Sequence, residues 1–307
     1  MSKENHISDL EITVPSDSIK LTAKKTNSEK LQRTDDWFKM RSGKFTGSEF
    51  KKLMSCAPGK SRLDWDNIER IFAFGEMALK SIYANAKERD TGKYIDQGKG
   101  TYQMQYGTKV EPLIERFLKK KFKSTYKLKE VGFKSFECFD NAGTSADGLL
   151  INKSDNAIAA VLELKACTSW DTHYSRSAEF NEKHQDFWQV QGEMLSWGVN
   201  TCYYVFAEPP RDITEYLFYD GDIKDLYKKF VKECPITVVQ VDASALHQKA
   251  LLKRLAIAET TLNEYLKGGQ PLSICQETSV KYYNENQTEL NKYFNDKPIQ
   301  ASGEVSK

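Results

Sequence analysis

Hydrophobic and polar residues alternate with a helical period in two segments of the first half of the chain. Apolar side chains recur about every 3.6 positions over residues 66–88 and again over residues 102–122, which predicts an amphipathic helix in each range. In the second range Glu111 lies away from the apolar face, so this helix presents a carboxylate to its surroundings. Two shorter helices are predicted earlier, one capped by Asp35 and one that begins at Thr46.

The pattern changes from helical to β-rich after residue 130. Residues 131–139, 142–151 and 157–165 form short runs separated by Asp-Asn and Ser-Asp-Asn turn signals, which predicts three consecutive strands. The third run is continuously apolar up to Glu163, as in a strand buried on both faces. The charged residues at its end break the rule that cores are apolar, and such breaks are typical of functional sites.

The rest of the chain predicts further helices and strands. They are a helix over 184–198, strands over 201–210 and 215–219, helices over 222–233 and 244–267, and a short helix at about 285–294. This order predicts an α/β fold with a central mixed β-sheet flanked by helices. We divide the chain into a flexible N-terminal arm (1–30), a core domain (31–220), C-terminal helices packed on that core (221–270) and a polar tail (271–307).

The overall charge gives no reason by itself to expect a nucleic-acid partner. The 307 residues include 45 basic and 43 acidic side chains, for a net charge of +2, so any DNA-binding field must be local. The sequence has no run of about 18 apolar residues and no charged-then-apolar leader. We therefore expect a cytoplasmic protein.

The cysteines and histidines argue against several kinds of site. The six cysteines are far apart and form no CxxC pair, unlike those of a disulfide scaffold or a clustered iron–sulfur site. The four histidines lack the i, i+4 spacing that places two imidazoles on one helical face toward zinc. We therefore do not expect a zinc enzyme.

Asp147, Glu163 and Lys165 form a candidate hydrolytic centre. Residues i and i+2 of a strand point to one side, so Glu163 and Lys165 project into one pocket, and Asp147 comes from the preceding strand. Carboxylate oxygens suit Mg²⁺ or Mn²⁺, which polarises a phosphate and activates water, and the Leu164 carbonyl could also face the ion. By itself an E-x-K triplet most often consists of two charged side chains that face solvent on an exposed strand. Here the apolar run before it and the preceding Asp-Gly strand favour a site.

Five segments, taken in order, resemble the lambda exonuclease family with its YqaJ-type viral recombinases. They are WFKMRSGKFTGSEF (37–50), YGTKVEP (106–112), GTSADGLL (143–150), LELK (162–165) and FWQVQGEMLSW (187–197). The resemblance implies a restriction-endonuclease-like core of the PD-(D/E)XK superfamily. It also implies an Mg²⁺-dependent exonuclease that accepts Mn²⁺, digests one strand of duplex DNA from its 5′ end and forms a ring-shaped homotrimer. The implied products are 5′-phosphomononucleotides and 3′ single strands, and a single-strand annealing protein would bind those strands. The implied location is the cytoplasm of a bacterial or phage-infected cell.

The resemblance assigns the hydrolytic roles to individual residues. Asp147 and Glu163 match the family's metal-binding acids, and Lys165 matches its catalytic lysine. Glu111 occupies the position of a further metal-binding acid on the preceding helix. A glutamate that only faces solvent on that helix is the simpler alternative for Glu111.

The resemblance also assigns residues that contact DNA or support catalysis. Gln191 matches the catalytic glutamine of the family's Q-x-Q segment, with Gln189 beside it as a further candidate. Arg41, Ser48 and Ser145 match the residues that hold the terminal 5′-phosphate, which suits a guanidinium and a helix start. For Arg41 the alternative is an arginine exposed on the surface, and for Ser48 it is a plain helix cap. For Gln189 and Gln191 the alternative is a polar residue on the helix surface.

Several points stay open at the level of sequence. The run over 119–129 has six lysines, which either follow a DNA backbone or form a solvated helix end. The chain also extends beyond the resemblance at both ends. An endonuclease or repair nuclease on the same core is one alternative function. A non-catalytic module that binds DNA ends is another, although the acids and the lysine argue against it.

Overall fold

The computed structural model describes residues 34–92, 102–137, 139–209 and 223–286, together with Gln32, Ile213 and Thr288. The predicted N-terminal arm, the predicted strand over 215–219 and most of the helix predicted near 285–294 lie outside the described residues. Within the described ranges, no helix has both the length and the apolar character that a membrane crossing needs.

The helices follow the predicted pattern through most of the described chain. They are α1 (Asp35–Arg41), α2 (Phe50–Leu53), α3 (Ile68–Phe72), α4 (Glu76–Thr91), α5 (Tyr102–Lys121), α6 (Trp170–Arg176), α7 (Phe187–Trp197), α8 (Ile223–Glu233), α9 (Ala245–Gly268) and α10 (Leu272–Glu285). The cap of α1 differs from the prediction. The hydroxyl of Thr34, which still has extended backbone, accepts from the Trp37 N–H at 3.3 Å, so Asp35 is already the first helical residue.

The strands of the described residues form two sheets. They are β1 (Phe45–Thr46), β2 (Tyr126–Lys129), β3 (Lys134–Phe136), β4 (Phe139–Thr144), β5 (Gly148–Asn152), β6 (Ile158–Ala166), β7 (Thr201–Ala207) and β8 (Ile236–Asp242). The central sheet has the order β2-β5-β6-β7-β8, with β6 and β7 parallel and the other neighbours antiparallel. The smaller sheet has the order β1-β4-β3. Helices lie on both faces of the central sheet, which confirms the predicted α/β architecture.

The run predicted as one strand over 142–151 belongs to two sheets. Thr144 at the end of β4 pairs with β3 in the smaller sheet, whereas Gly148 at the start of β5 pairs with β6. Asp147 therefore lies in the connection between the sheets, not on a strand as predicted. Alternation of side chains cannot reveal this change because it continues unchanged when the chain exchanges one pairing partner for another.

The buried strand β6 separates two packed layers. Leu162 and Leu164 pack in the cluster formed with α5, and Val161 packs with Met194 of α7 on the opposite face. This burial explains the continuous apolar run in the sequence. Because successive side chains alternate between faces, Glu163 is on the same side as Val161 and faces α7.

The helix predicted over 66–88 is divided into α3 and α4. The Gly75 N–H donates to the Ser55 carbonyl at 2.9 Å instead of continuing the helix. A Cβ at Gly75 would lie 2.7 Å from the Cys56 carbonyl oxygen, so only glycine permits this approach. The apolar period survives the break because both helices contribute to the same core cluster.

Helices α9 and α10 complete that core cluster. Leu251 of α9 is fully buried in the same cluster as Phe50 of α2. Tyr283 of α10 is buried and packs edge-on against Phe72, with ring centroids 5.2 Å apart. Residues 272–285, which were predicted as part of the polar tail, thus form a packed helix. Its buried positions recur four residues apart and are a narrow stripe among polar residues.

A buried arginine connects α9 to the end of α3 and to the segments on either side of it. The Arg254 side chain is fully buried, and burial lowers its pKa to about 10, so it remains charged at neutral pH. It donates to the backbone carbonyls of Leu53 (3.1 Å), Arg70 (2.6 Å), Ile71 (3.3 Å), Ala73 (3.2 Å) and Ser55. The Ser55 and Ala73 carbonyls also accept from the Gly75 and Ala57 N–H groups, so Arg254 matters most to the carbonyls of Leu53, Arg70 and Ile71, which lie at the ends of their helices.

Replacing Arg254 with Met should lower the free energy of unfolding by about 3–5 kcal/mol, because several buried carbonyls lose their donor at once. Urea denaturation followed by circular dichroism measures the change. Lys267→Met, at the exposed end of the same helix, is the control and should change stability by less than about 0.5 kcal/mol. An Arg254→Met protein as stable as the parent would contradict this account.

Candidate active site

Asp147 lies where β6 loses a neighbouring strand. Its N–H donates to the Leu162 carbonyl at 3.0 Å, and its Oδ2 accepts from the Leu164 N–H at 2.7 Å. The side chain therefore takes the place of the pairing that β5, which begins at Gly148, does not provide. In a strand the N–H and C=O of one residue point to the same side, so the Leu164 carbonyl faces the Asp147 carboxylate. The structure thus brings together these two predicted ligands.

Glu163 and Lys165 lie together on the α7 side of β6, as their spacing predicted. The Lys165 ammonium forms an ion pair with Glu163 Oε1, and the Glu163 side chain is only 2% exposed. Gln189 of α7 donates from Nε2 to the same Glu163 oxygen at 2.6 Å. Lys165 also donates to Gln189 Oε1 at 3.4 Å. One amide therefore holds both members of the pair.

Two further acids of this cluster were not predicted from the sequence. Glu193 is fully buried one helical turn after Gln189, and its Oε1 accepts from Gln189 Nε2 at 2.9 Å. Asp186, just before α7, has its Oδ1 3.9 Å from Lys165 Nζ. The i, i+4 spacing from Gln189 could have indicated Glu193, since such residues share a helix face.

Crowding of carboxylates shifts the acid–base properties of the cluster. Burial, followed by the charges of Glu163 and Glu111, raises the pKa of Asp147 well above its usual value. Burial and the neighbouring Glu163 likewise raise the pKa of Glu193. For Lys165, burial acts to lower the pKa, but the surrounding carboxylates, Glu163 first, raise it well above normal. These directions share one cause: an excess of negative charge in a poorly solvated place, which favours any added cation.

Glu111 approaches Asp147 from the other side of β6. Both line a cavity of about 240 Å³ between α5 and the sheet, together with the Leu164 residue and two more acids, Glu115 and Glu130. The charge of Glu111 contributes to the raised pKa of Asp147, so the two carboxylates interact. The structure therefore places Glu111 beside Asp147, one of the two predicted metal-binding acids on the strands.

The donor set fits a divalent cation that prefers oxygen. Glu163 Oε2 is buried without a hydrogen-bond partner among the described residues, which is costly for a carboxylate unless a cation or proton compensates it. Within the same described residues, no group of three or more carboxylate, imidazole or thiol side chains is arranged as a preformed metal site. The other oxygen of Glu163, Oε1, is already bound by Lys165 and Gln189. Carboxylates and a carbonyl are the ligands that Mg²⁺ and Mn²⁺ favour.

The residues expected to hold a phosphate also meet, beside the acids. Arg41 donates to the Ser145 hydroxyl at 3.4 Å and to the Thr46 hydroxyl at 3.4 Å. The Ser48 hydroxyl lies 3.4 Å from that of Thr46. The guanidinium lies over the Trp37 ring at 4.1 Å, and the Trp37 indole N–H donates to Ser145 at 3.0 Å. An arginine oriented in this way and two hydroxyls offer several donors to one anion.

Gln191 does not reach the acidic cluster, contrary to the expectation from the family motif. Its Nε2 donates to the Asp242 carbonyl at 3.0 Å, and its Oε1 accepts from the Ser244 N–H at 2.8 Å. Residues two positions apart on a helix point in different directions, so only Gln189 of the Q-x-Q segment faces β6. Gln191 instead joins α7 to the connection between β8 and α9.

The lysine-rich run over 119–129 is divided between two elements. Its first part ends α5, where Lys119 pairs with Glu115 and Lys120 lies over the Tyr227 ring at 4.6 Å. Its last part is β2, with Lys127 exposed. Polar and half-buried residues alternate there, so the last part of the run is a strand and not a helix end, which was one of the two alternatives for it.

Known proteins resemble this chain in sequence pattern and in fold. The model of the YqaJ-like viral recombinase domain matches residues 36–200. An alkaline exonuclease from Laribacter hongkongensis, LHK-Exo, is 18% identical with a TM-score of 0.53, and the match covers 84% of this chain and 100% of that chain. The same values hold for LHK-Exo in complex with dAMP. A phage-related exonuclease from Haemophilus somnus is 16% identical with a TM-score of 0.50, over 79% of this chain and 96% of that chain.

No match is found among curated proteins. The solved exonucleases confirm the predicted restriction-endonuclease-like fold. At these identities they carry no more than the fold.

Gln191→Ala should destabilise the protein by about 2 kcal/mol, because two backbone groups that it now pairs would lose their partner. Thermal and urea denaturation measure the loss. Gln240→Ala, at an exposed position on β8, serves as the control and should be nearly neutral. Unchanged stability of Gln191→Ala would show that the glutamine is not needed to join α7 to α9.

Proposed function

The chain belongs to the YqaJ-like viral recombinase domain family, and from that membership we propose that it is a divalent-metal-dependent deoxyribonuclease acting on duplex DNA ends. The family and the exonuclease fold support a DNA-binding nuclease of the lambda exonuclease kind. The observation that carries the proposal is the approach of Asp147, just before β5, to Glu163 and Lys165 near the end of β6. The Asp147 carboxylate accepts from the Leu164 N–H between those two residues, and their charges act on its pKa. Phosphodiester hydrolysis needs such a set: acids for a metal ion and a cation for developing charge.

The acids and one carbonyl would hold the ion. Asp147, Glu163, Glu111 and the Leu164 carbonyl are the proposed ligands, and Mg²⁺ is the proposed ion, with Mn²⁺ as a substitute. When bound, the ion polarises a phosphate oxygen and lowers the pKa of the attacking water. Lys165 keeps its ammonium beside Glu163, where it can stabilise negative charge that develops on the phosphate.

Two neighbouring polar residues, Gln189 and Asp186, hold the Glu163 and Lys165 side chains in position. Gln189 holds Glu163 and Lys165 through the two ends of its amide. Asp186 lies on the far side of Lys165 and is itself fixed, because its Oδ2 accepts from the Tyr204 hydroxyl at 2.6 Å. Since Gln191 is bound elsewhere, we place Gln189 in the hydrolytic site in its stead.

The cluster around Arg41 is the proposed site for the terminal 5′-phosphate. Ser145 is a member of this cluster and lies two residues before Asp147, so a phosphate held there has a fixed spacing from the hydrolytic acids. Digestion would then proceed 5′ to 3′ on one strand and release 5′-phosphomononucleotides. The remaining 3′ single strand is the substrate of a single-strand annealing protein in phage-type recombination. A homotrimer and a cytoplasmic location are proposed by family analogy alone.

Glu163→Gln and Lys165→Met should each reduce digestion of end-labelled linear duplex with Mg²⁺ by at least about 100-fold, because each removes a charge needed at the reacting phosphate. A time course resolved by length measures the rate and shows which end is consumed. Glu264→Gln and Lys267→Met remove an exposed ion pair on α9 and should digest normally. Retained Mg²⁺-dependent activity in both site variants would refute the proposed centre.

The 5′-phosphate assignment predicts discrimination between DNA ends. The unaltered protein should digest 5′-phosphorylated duplex about tenfold faster, or more, than 5′-hydroxyl duplex, and Arg41→Ala should abolish the difference. Arg62→Ala, which removes an exposed arginine, should affect both substrates alike. If the unaltered protein digests both kinds of end at equal rates, the cluster around Arg41 does not recognise the 5′-phosphate. Cleavage of covalently closed circles would instead favour the endonuclease alternative.

A further inference from the structure

A second buried carboxylate lies beside Glu163 without compensation for its charge. The Glu193 side chain is fully buried in α7, and only its Oε1 is bound, by Gln189 at 2.9 Å. Its Oε2 is buried without a hydrogen-bond partner among the described residues. An unpaired carboxylate in such a place is strongly unfavourable, so a cation or a proton must accompany it.

The Glu193 and Glu163 carboxyl groups lie side by side. Gln189 Nε2 donates to an Oε1 of each, at 2.9 Å and 2.6 Å. The remaining oxygen of each group, Oε2, has no N–H or hydroxyl donor in the described part of the chain, while the two carboxyl groups themselves lie within hydrogen-bonding reach of each other. Lys165 forms its ion pair with Glu163 Oε1, and no salt bridge to Glu193 occurs among the described residues. Two oxygens without donors, side by side, are suited to a shared positive charge.

We infer that Glu193 is a further acidic residue of the metal centre, adding its carboxylate to those that bind the divalent cation beside Glu163. This inference rests on the proposed function. The oxygen-only donors select a hard ion such as Mg²⁺ or Mn²⁺ over softer metals. Glu193 thereby changes the role of α7: the helix supplies an acid to the centre as well as the Gln189 amide. The rival explanation is that the two carboxyl groups share a proton and Glu193 does not affect ion binding.

Direct titration of Mn²⁺ into the full-length protein tests this inference without any measurement of activity. Isothermal calorimetry and the electron paramagnetic resonance signal of free Mn²⁺ give the dissociation constant. Glu193→Gln keeps the shape of the side chain and removes its charge, so it should weaken Mn²⁺ binding about tenfold or more. Glu163→Gln should weaken it at least as strongly. Glu259→Gln is the matched control, because Glu259 is a largely buried acid paired with Arg89 at 2.6 Å, outside this cluster.

Folding of the variant is checked in the same preparation. Without metal, Glu193→Gln should melt at the same temperature as the parent or higher, since the amide has the shape of a protonated carboxyl group and brings no buried charge. Added Mn²⁺ should raise the melting temperature of the parent and of Glu259→Gln more than that of Glu193→Gln.

The outcomes separate this inference from the function on which it rests. If Glu193→Gln binds Mn²⁺ within twofold of the parent while Glu163→Gln does not bind, the inference is overturned and the proposed metal centre stands. If the parent binds no Mn²⁺, the proposed function fails and the inference fails with it. Weaker binding by Glu193→Gln, with unchanged binding by Glu259→Gln, supports both.

Discussion

The hydrogen bond from the Leu164 N–H to the Asp147 carboxylate determines the geometry of the candidate centre. β5 begins at Gly148, so β6 continues past it with an edge that has lost its neighbour. A carboxylate at 2.7 Å satisfies the exposed N–H and is itself fixed by it. The same edge directs the Leu164 carbonyl toward Asp147. A feature of sheet pairing thus gives an acid in a connection a fixed position.

Fixing acids in this way concentrates negative charge, and the surrounding side chains partly compensate that charge. Lys165, held between Glu163 and Asp186, neutralises part of it. Gln189 donates to two carboxylates at once. The charge that remains, marked by the raised pKa of Asp147 and the unpaired oxygen of Glu163, is what the proposed cation would compensate. The proposed cation would therefore stabilise the fold as well as take part in hydrolysis.

The sequence predicts the parts of this arrangement that depend on short-range periodicity. The apolar run before Glu163 identifies a buried strand, and the i, i+2 spacing places Lys165 beside it. The choice between Gln189 and Gln191 depends on the rotation of α7 about its axis, which two glutamines in an apolar helix do not define. The position of Asp147 in a connection depends on pairing with strands distant in sequence. Glu193 could be expected only once Gln189 was known to face β6.

The part of the chain beyond the residues matched by the family model makes contacts that hold elements of the candidate site in place. The match ends at residue 200, yet β7 and β8 follow it, and β7 is the parallel partner of β6. Gln191 orients α7 through groups at Asp242 and Ser244. Arg254 then binds the segments around α3 that complete the helical core. Rotation of α7 would move Gln189 away from Glu163, so the contacts made by later residues determine which glutamine faces the acids.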